Sequence, residues 1–198
     1  MNFLAHIYLS GNSDEMLAGN FIGDYVKGRA YLQYPGDIRR GILLHRDIDF
    51  FTDNHEATRE CKTFVSSKYG LYSGIIVDIF YDHFLATNWT KYSPITLAEF
   101  ARRKYAILEQ YFEIYPKDVK LFFPYFLRSN WLETYSSTSG IGSVLRRMAF
   151  RTSIPDHSSF AVEKLKENKE SLKNLFFRFF DEIIDYITTK YGITLDGR

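Results

Sequence analysis

Apolar side chains recur three and four positions apart along almost the whole chain, and strict alternation is scarce. A period near 3.6 buries one face of a helix, whereas alternation would bury one face of a strand, so the pattern predicts an all-α chain. Punctuation residues divide it into elements. A short helix is expected over about Asn2 to Leu9, broken by Gly11 and Asn12. Ser13, followed by Asp14 and Glu15 in a first turn, starts a second helix that runs through "MLAGNFIGDYVKG" to a stop at Gly28. A third begins near Pro35, which suits a first helical turn, and carries "DIRRGILLHRDIDFF". Thr52 or Asp53 caps a fourth that ends before Gly70, and "VDIFYDHFLATNW" forms the fifth, with Pro94 closing the connection after it. Thr96 and Glu99 make a capping box for a helix through about Glu113. Short pieces interrupted at Pro124 follow, "STSGIG" reads as a loop, and one long helix from about Ser158 to Lys190 stops at Gly192.

A chain of 198 residues that is 45% hydrophobic suits one domain over residues 1–198, an irregular helical bundle. Its 18 Phe and 15 Tyr supply the large side chains that fill gaps between irregularly crossing helices. Lys and Arg number 25 against 24 Asp and Glu, a formal charge of +1 that argues against a general nucleic-acid binder. Any charged partner must then be met by a local patch. The single cysteine, Cys61, rules out an intrachain disulfide and a thiolate metal cluster, and fits a reducing compartment. "MNFLAHIYLSGNSDEM" has no basic n-region, and no apolar run reaches membrane-spanning length, so a cytoplasmic protein without a membrane partner is expected.

The chemistry is concentrated where charge interrupts the apolar pattern. Asp78, Asp82 and His83 lie within "VDIFYDHFLATNW", which contains no lysine or arginine. A buried carboxylate needs a compensating cation, so the partner must be a basic side chain from elsewhere or a metal ion. Residues four apart share a helix face, which puts Asp78 and Asp82 together with His83 at the edge of the same face. His45 and Asp49 repeat the device one helix earlier, with Asp53 next in line, and facing strips of this kind are how helical bundles build metal sites. His6 and Asp24 are the remaining candidates. Competing structural roles are a core histidine for His6, an ion pair with Arg46 for Asp24 and an N-cap for Asp53; His55 and His157 are expected in solvent, and Asp14 and Asp37 at helix starts. Imidazole and carboxylate donors without thiolate favour Mn²⁺, Fe²⁺ or Mg²⁺, with Zn²⁺ left open. Such an ion polarises a phosphoryl oxygen and acidifies a coordinated water, and Arg46 beside the strip would steady the growing negative charge. Phosphoester hydrolysis is the chemistry this set suits.

Four ordered blocks, "MNFLAHIYLS", "GNFIGDYVKG", "GILLHRDIDFFTDN" and "VDIFYDHFLATNW", resemble the acyl carrier protein phosphodiesterase family, and the likeness continues more weakly through "NWLETY" and "LRRMAFR". The resemblance implies a phosphodiesterase that removes 4'-phosphopantetheine from a serine of holo-acyl carrier protein to give the apo-protein, with Mn²⁺ as the usual metal. It also implies a distant kinship with HD-type metal phosphohydrolases and hence an HD-domain-like helical fold. The adjacent pair here is Asp82-His83, the reverse of the HD order, so ligands do not transfer from that wider group one by one. Carried over from the narrower family, Asp24, His45, Asp49, Asp78 and Asp82 are expected around the metal. His83 or His6 would protonate the departing serine oxygen, and Arg46 would face the phosphoryl group. Acyl carrier proteins are acidic, so Arg102 and Arg103 in "ARRKY" and Arg146 and Arg147 in "LRRMAFR" are expected to bind one, the competing reading being ordinary solvated helix faces. Two rival functions remain at this point: a metal phosphohydrolase for a nucleotide or other small phosphoester, and a non-catalytic helical module that binds an acidic protein.

Overall fold

The computed structural model describes residues 2–195, and among them helices are joined by 3-10 turns and short loops with no strand. In chain order the α-helices are α1 (Phe3–Leu9), α2 (Asp14–Phe21), α3 (Gly36–Asn54), α4 (Glu56–Thr63), α5 (Ser66–Tyr69), α6 (Ser73–Thr87), α7 (Leu97–Gln110), α8 (Lys117–Arg128), α9 (Trp131–Thr134), α10 (Thr138–Arg151), α11 (Ser158–Glu167) and α12 (Lys169–Tyr191). The all-α expectation holds. Among the described residues no helix is long and apolar enough to cross a membrane.

Helix starts follow the caps. Asn2, Ser13 and Thr96 each accept a backbone amide of the helix they precede. Several boundaries differ from the sequence reading, each for a visible reason. α2 stops at Phe21 rather than Gly28, because the chain turns through a 3-10 element, Gly23–Tyr25, and passes over α3. α3 extends through Asp53, so neither Thr52 nor Asp53 caps α4; His55 does, its Nδ1 accepting from the Ala57 amide while its Nε2 meets Glu182 at 3.1 Å. His55 is therefore a structural residue rather than a solvated one. Pro124 lies inside α8 without ending it, where Phe122, Phe123 and Phe126 bury their rings around it; their packing outweighs one lost backbone bond. "STSGIG" is the first turn of α10, committed to helix by Ser137 Oγ accepting from the Gly140 amide. The expected long C-terminal helix is two helices, parted at Asn168, whose backbone leaves the helical region (φ −112°, ψ 23°) and whose side chain donates to the Lys164 carbonyl.

The aromatic residues do fill the core. Tyr81 stacks on Phe179 at 4.6 Å and Phe176 on Phe180 at 4.9 Å, while Phe3, Phe21, Phe126 and Trp131 gather on the other side of α1. Each fully buried Phe of this kind contributes about 1.5–3 kcal/mol over an exposed one. α6 runs through this core and packs against α1, α4, α10 and α12. α2 and α3 approach most closely. A Cβ on Gly19 would stand 2.0 Å from the Ile38 carbonyl oxygen, and one on Gly41 2.2 Å from that of Met16, so only a glycine on each helix lets the backbones meet. That contact sets the positions of Asn20 on α2 and His45 on α3.

Candidate metal centre

Asn20 is fully buried at the end of α2 and organises the residues around it. Its side-chain nitrogen donates to the His6 carbonyl at 2.8 Å and to Ser10 Oγ at 2.9 Å. A carbonyl can only accept, so the orientation of the amide is settled and Oδ1 faces the other way. Both imidazoles rest on that oxygen, His6 Nδ1 at 2.8 Å and His45 Nδ1 at 3.2 Å, with the rings stacked at 4.1 Å. An oxygen acceptor demands protons on both Nδ1 atoms, which makes each Nε2 a lone-pair atom whenever its ring is neutral. Both Nε2 atoms point at one carboxylate. His6 Nε2 lies 3.2 Å from Asp49 Oδ1, and His45 Nε2 lies 3.2 Å from Asp49 Oδ2 and 3.4 Å from Asp24 Oδ1.

His45 reaches this position because Gly23 gives it room; a Cβ there would stand 2.2 Å from the imidazole Cγ. The same turn carries Asp24, which is largely exposed. The His45 ring facing it holds the Asp24 carboxyl below the ordinary range. Burial alone would lower the His45 ring, but the Asp24 and Asp49 carboxylates facing its Nε2 outweigh it and lift the pKa to about 9. Burial together with the neighbouring His45 holds His6 down to about 4, against the pull of Asp49. Burial would also raise Asp49, yet the positive and hydrogen-bonding groups around it, both rings among them, keep it far below the carboxylate range.

These residues fit a divalent cation. His6, His45 and Asp49 offer ligand atoms that all lie within 4.8 Å of one another, and His45 Nε2 is buried without a hydrogen-bond partner although two carboxylates face it. When the ring is deprotonated, its Nε2 lone pair opposite carboxylate oxygens at this range is stabilised by a cation between them, which takes the place of the proton, and the second ring nitrogen held by a side-chain oxygen is the usual support for a metal-ligating histidine. The donors are imidazole nitrogens and carboxylate oxygens with no sulfur, since Cys61 is buried and hydrogen-bonded by Tyr81. The centre lies in a cleft of about 950 Å³ whose wall also carries Asp53, Asp78, Trp131 and Arg147. Asp78 is half-buried there, and burial raises its carboxyl.

Other residues singled out from the sequence lie elsewhere. Asp82 is 0% exposed and shares no cleft wall with Asp78; its two oxygens accept the Leu4 and Ala5 amides at 2.8 and 3.1 Å. It caps α1 from across the core and does not line the cleft that holds His6, His45 and Asp49. His83 points to the opposite side, where its Nδ1 donates to the Tyr135 carbonyl at 2.7 Å. Burial lowers its ring, and it does not face the cleft as an acid would. Arg46 is pinned to the carbonyls of Val26 and Gly28, both at 2.8 Å, and over the Tyr31 ring, so it neither pairs with Asp24 nor enters the cleft. Arg102 and Arg103 are exposed on α7, Arg103 paired with Glu99, and Arg146 is exposed on α10 beside Ser143. His157 sits edge-on to Tyr69, and Asp53 pairs with Lys62 at 3.3 Å. Asn20 escaped notice in the sequence. The available signal was a lone amide inside the apolar run "LAGNFIG", with glycines at i−1 and i+3.

An all-α chain that holds two histidines on one buried amide and aims both at one aspartate, open to a cleft, is a helical protein with a donor set that fits a divalent cation. It belongs to the acyl carrier protein phosphodiesterase family: residues 1–183 match the family model described as "Acyl carrier protein phosphodiesterase". Relatives of that name are 32% identical over 181 residues in Yersinia pestis (91% of this chain and 94% of that protein). Another, from Photorhabdus laumondii, is 30% identical over 191 residues (96% of each chain). A third, from Klebsiella pneumoniae, is 34% identical over 188 residues (93% and 96%). No solved structure matches the chain.

Proposed function

We propose that the protein hydrolyses the phosphodiester joining 4'-phosphopantetheine to a serine of acyl carrier protein, releasing the apo-protein, and that it does so with a divalent cation at His6, His45 and Asp49. The family supplies the substrate, and the observation that carries the metal dependence is the buried His45 Nε2 facing Asp24 and Asp49 without a hydrogen-bond partner. Mn²⁺ is the ion proposed, with Mg²⁺ and Fe²⁺ as substitutes that the same donors accept. When bound, such an ion neutralises phosphoryl charge and lowers the pKa of water next to it.

The chain's own groups do the rest. Asn20 holds both rings by Nδ1, so that their Nε2 atoms stay aimed into the cleft. Asp24, on the exposed turn beside His45, places a second carboxylate opposite the Nε2 of that ring. Serine leaves as an alkoxide unless a proton reaches it, and Asp78, on the cleft wall with its carboxyl raised by burial, is suited to hold that proton. Arg146 and Arg151, exposed toward one end of α10, add positive charge for an acidic carrier protein.

Incubating the purified protein with holo-acyl carrier protein and Mn²⁺, and following the carrier by mass spectrometry, tests the reading. Loss of the prosthetic group that stops on chelation is expected; a carrier mass unchanged in every metal would refute it. Asp78→Asn should lower turnover at least about 100-fold with Mn²⁺ affinity unchanged, as removal of a general acid would. Lost Mn²⁺ binding in that variant would make Asp78 a ligand instead.

A further inference from the structure

The cleft holds one more charged group with no assigned task. Arg147 lines it along with His6, His45 and Asp49, and its guanidinium lies over the rings of Trp131 at 5.4 Å and Tyr125 at 6.0 Å. Nη1 is buried and has no hydrogen-bond partner, and among the described residues Arg147 takes part in no ion pair. Other arginines behave otherwise: Arg46 donates to two carbonyls, Arg103 pairs with Glu99, and Arg146, one residue earlier, reaches Ser143 from an exposed position. Consecutive residues diverge by about 100° around a helix, so Arg146 and Arg147 cannot serve one surface. Of the two, Arg147 lines the cleft. Arg151, four residues on, lies over the same Tyr125 ring at 4.6 Å and lines the cleft as well, adding a second positive charge.

A guanidinium is charged at every accessible pH, and stacking on aromatic faces occupies its planes while leaving the in-plane N–H edge free to donate. A buried edge of that kind matches a planar pair of oxygens carrying negative charge. We infer that Arg147 is an oxyanion-binding residue of the cleft, held in place by Trp131 and Tyr125. Its ligand is an oxyanion of the substrate, either the phosphoryl group of the diester or a carboxylate of the carrier protein. Naming the substrate rests on the phosphodiesterase reading; the site itself rests on the geometry.

Calorimetric titration of the Mn²⁺-loaded protein with two probes tests this. One is 4'-phosphopantetheine, which has the phosphate and no protein. The other is apo-acyl carrier protein, which has carboxylates and no phosphopantetheine. Arg147→Gln should weaken one of them by about 10- to 100-fold, the loss of a charged hydrogen-bonding partner. Weakened 4'-phosphopantetheine binding assigns the phosphoryl group, and weakened carrier binding assigns a carboxylate. Arg147→Lys keeps the positive charge but not the planar fork, so it should recover only part of the affinity. This variant also gives the same reading if Arg147→Gln loses its Mn²⁺ site or its thermal transition. Wild-type affinity for both probes in the folded variants, or no binding of either probe to the wild type, would overturn the inference. Failure of the wild type to convert holo-carrier while it still binds 4'-phosphopantetheine through Arg147 would instead sink the phosphodiesterase reading alone.

Discussion

Replacing Asn20 with alanine removes the one oxygen on which both imidazoles rest, while every candidate ligand stays in the chain. Mn²⁺ affinity should fall roughly 10- to 100-fold, the usual effect of losing a residue that orients ligands, and a Mn²⁺ titration followed by electron paramagnetic resonance reads it directly. Asp49 and Asp82 should separate cleanly. Asp49→Ala removes the carboxylate shared by both rings and should abolish Mn²⁺ binding by the folded protein. Asp82→Ala leaves the Leu4 and Ala5 amides buried without an acceptor, at about 1–3 kcal/mol each, and should lower stability in urea while the folded fraction still binds Mn²⁺. The opposite pattern would restore Asp82 to the metal. Much of this cluster was legible as polar residues at four-residue spacing inside apolar runs. Which way a carboxylate faces was not, because periodicity places Asp82 on the face of Asp78 without saying that the start of α1 lies against it.

At the scale of elements, the site depends on how closely α2 and α3 cross. Gly41→Ala would push its Cβ into the Met16 carbonyl, and the helices must part. A loss of about 1–3 kcal/mol is expected in thermal unfolding, with weaker Mn²⁺ binding because Asn20 and His45 ride on the two helices that separate. An unchanged melting temperature would show that the notch has slack. Helices with capping residues, α1 and α7 above all, are readable in the sequence, and α6 is readable from its nearly unbroken apolar run. The divided pair α11 and α12 is not, since their apolar stripe continues across Asn168 and only the backbone there records the break. Gly23 misled in the other direction: it looks like an ordinary residue within a helix, and its purpose is the room it gives to His45 on another element.

For the whole molecule, the paired histidines predict how stability varies with pH when no metal is bound. His45 has its folded pKa raised from 6.5 to about 9, so its contribution is fully present below pH 6.5 and is lost as pH rises through 9. His6 has its folded pKa lowered to about 4, so below pH 6.5 the unfolded chain takes up a proton that the folded one refuses, and stability falls as pH drops toward 4. In chelator the melting temperature should therefore be highest near pH 6.5, and His45→Gln should lose the decline on the alkaline side. The fold class and the family could be read from the first 90 residues, because helical period and four ordered blocks are local properties of the chain. The meeting of α1, α2 and α3 around one amide is a long-range property and had to be seen. Electron–nuclear double resonance on the Mn²⁺-loaded protein tests that meeting most directly. Two coordinated imidazole nitrogens are expected in the wild type and one in either His6→Gln or His45→Gln; a bound ion with no nitrogen coupling, or one undisturbed by both substitutions, would contradict the account.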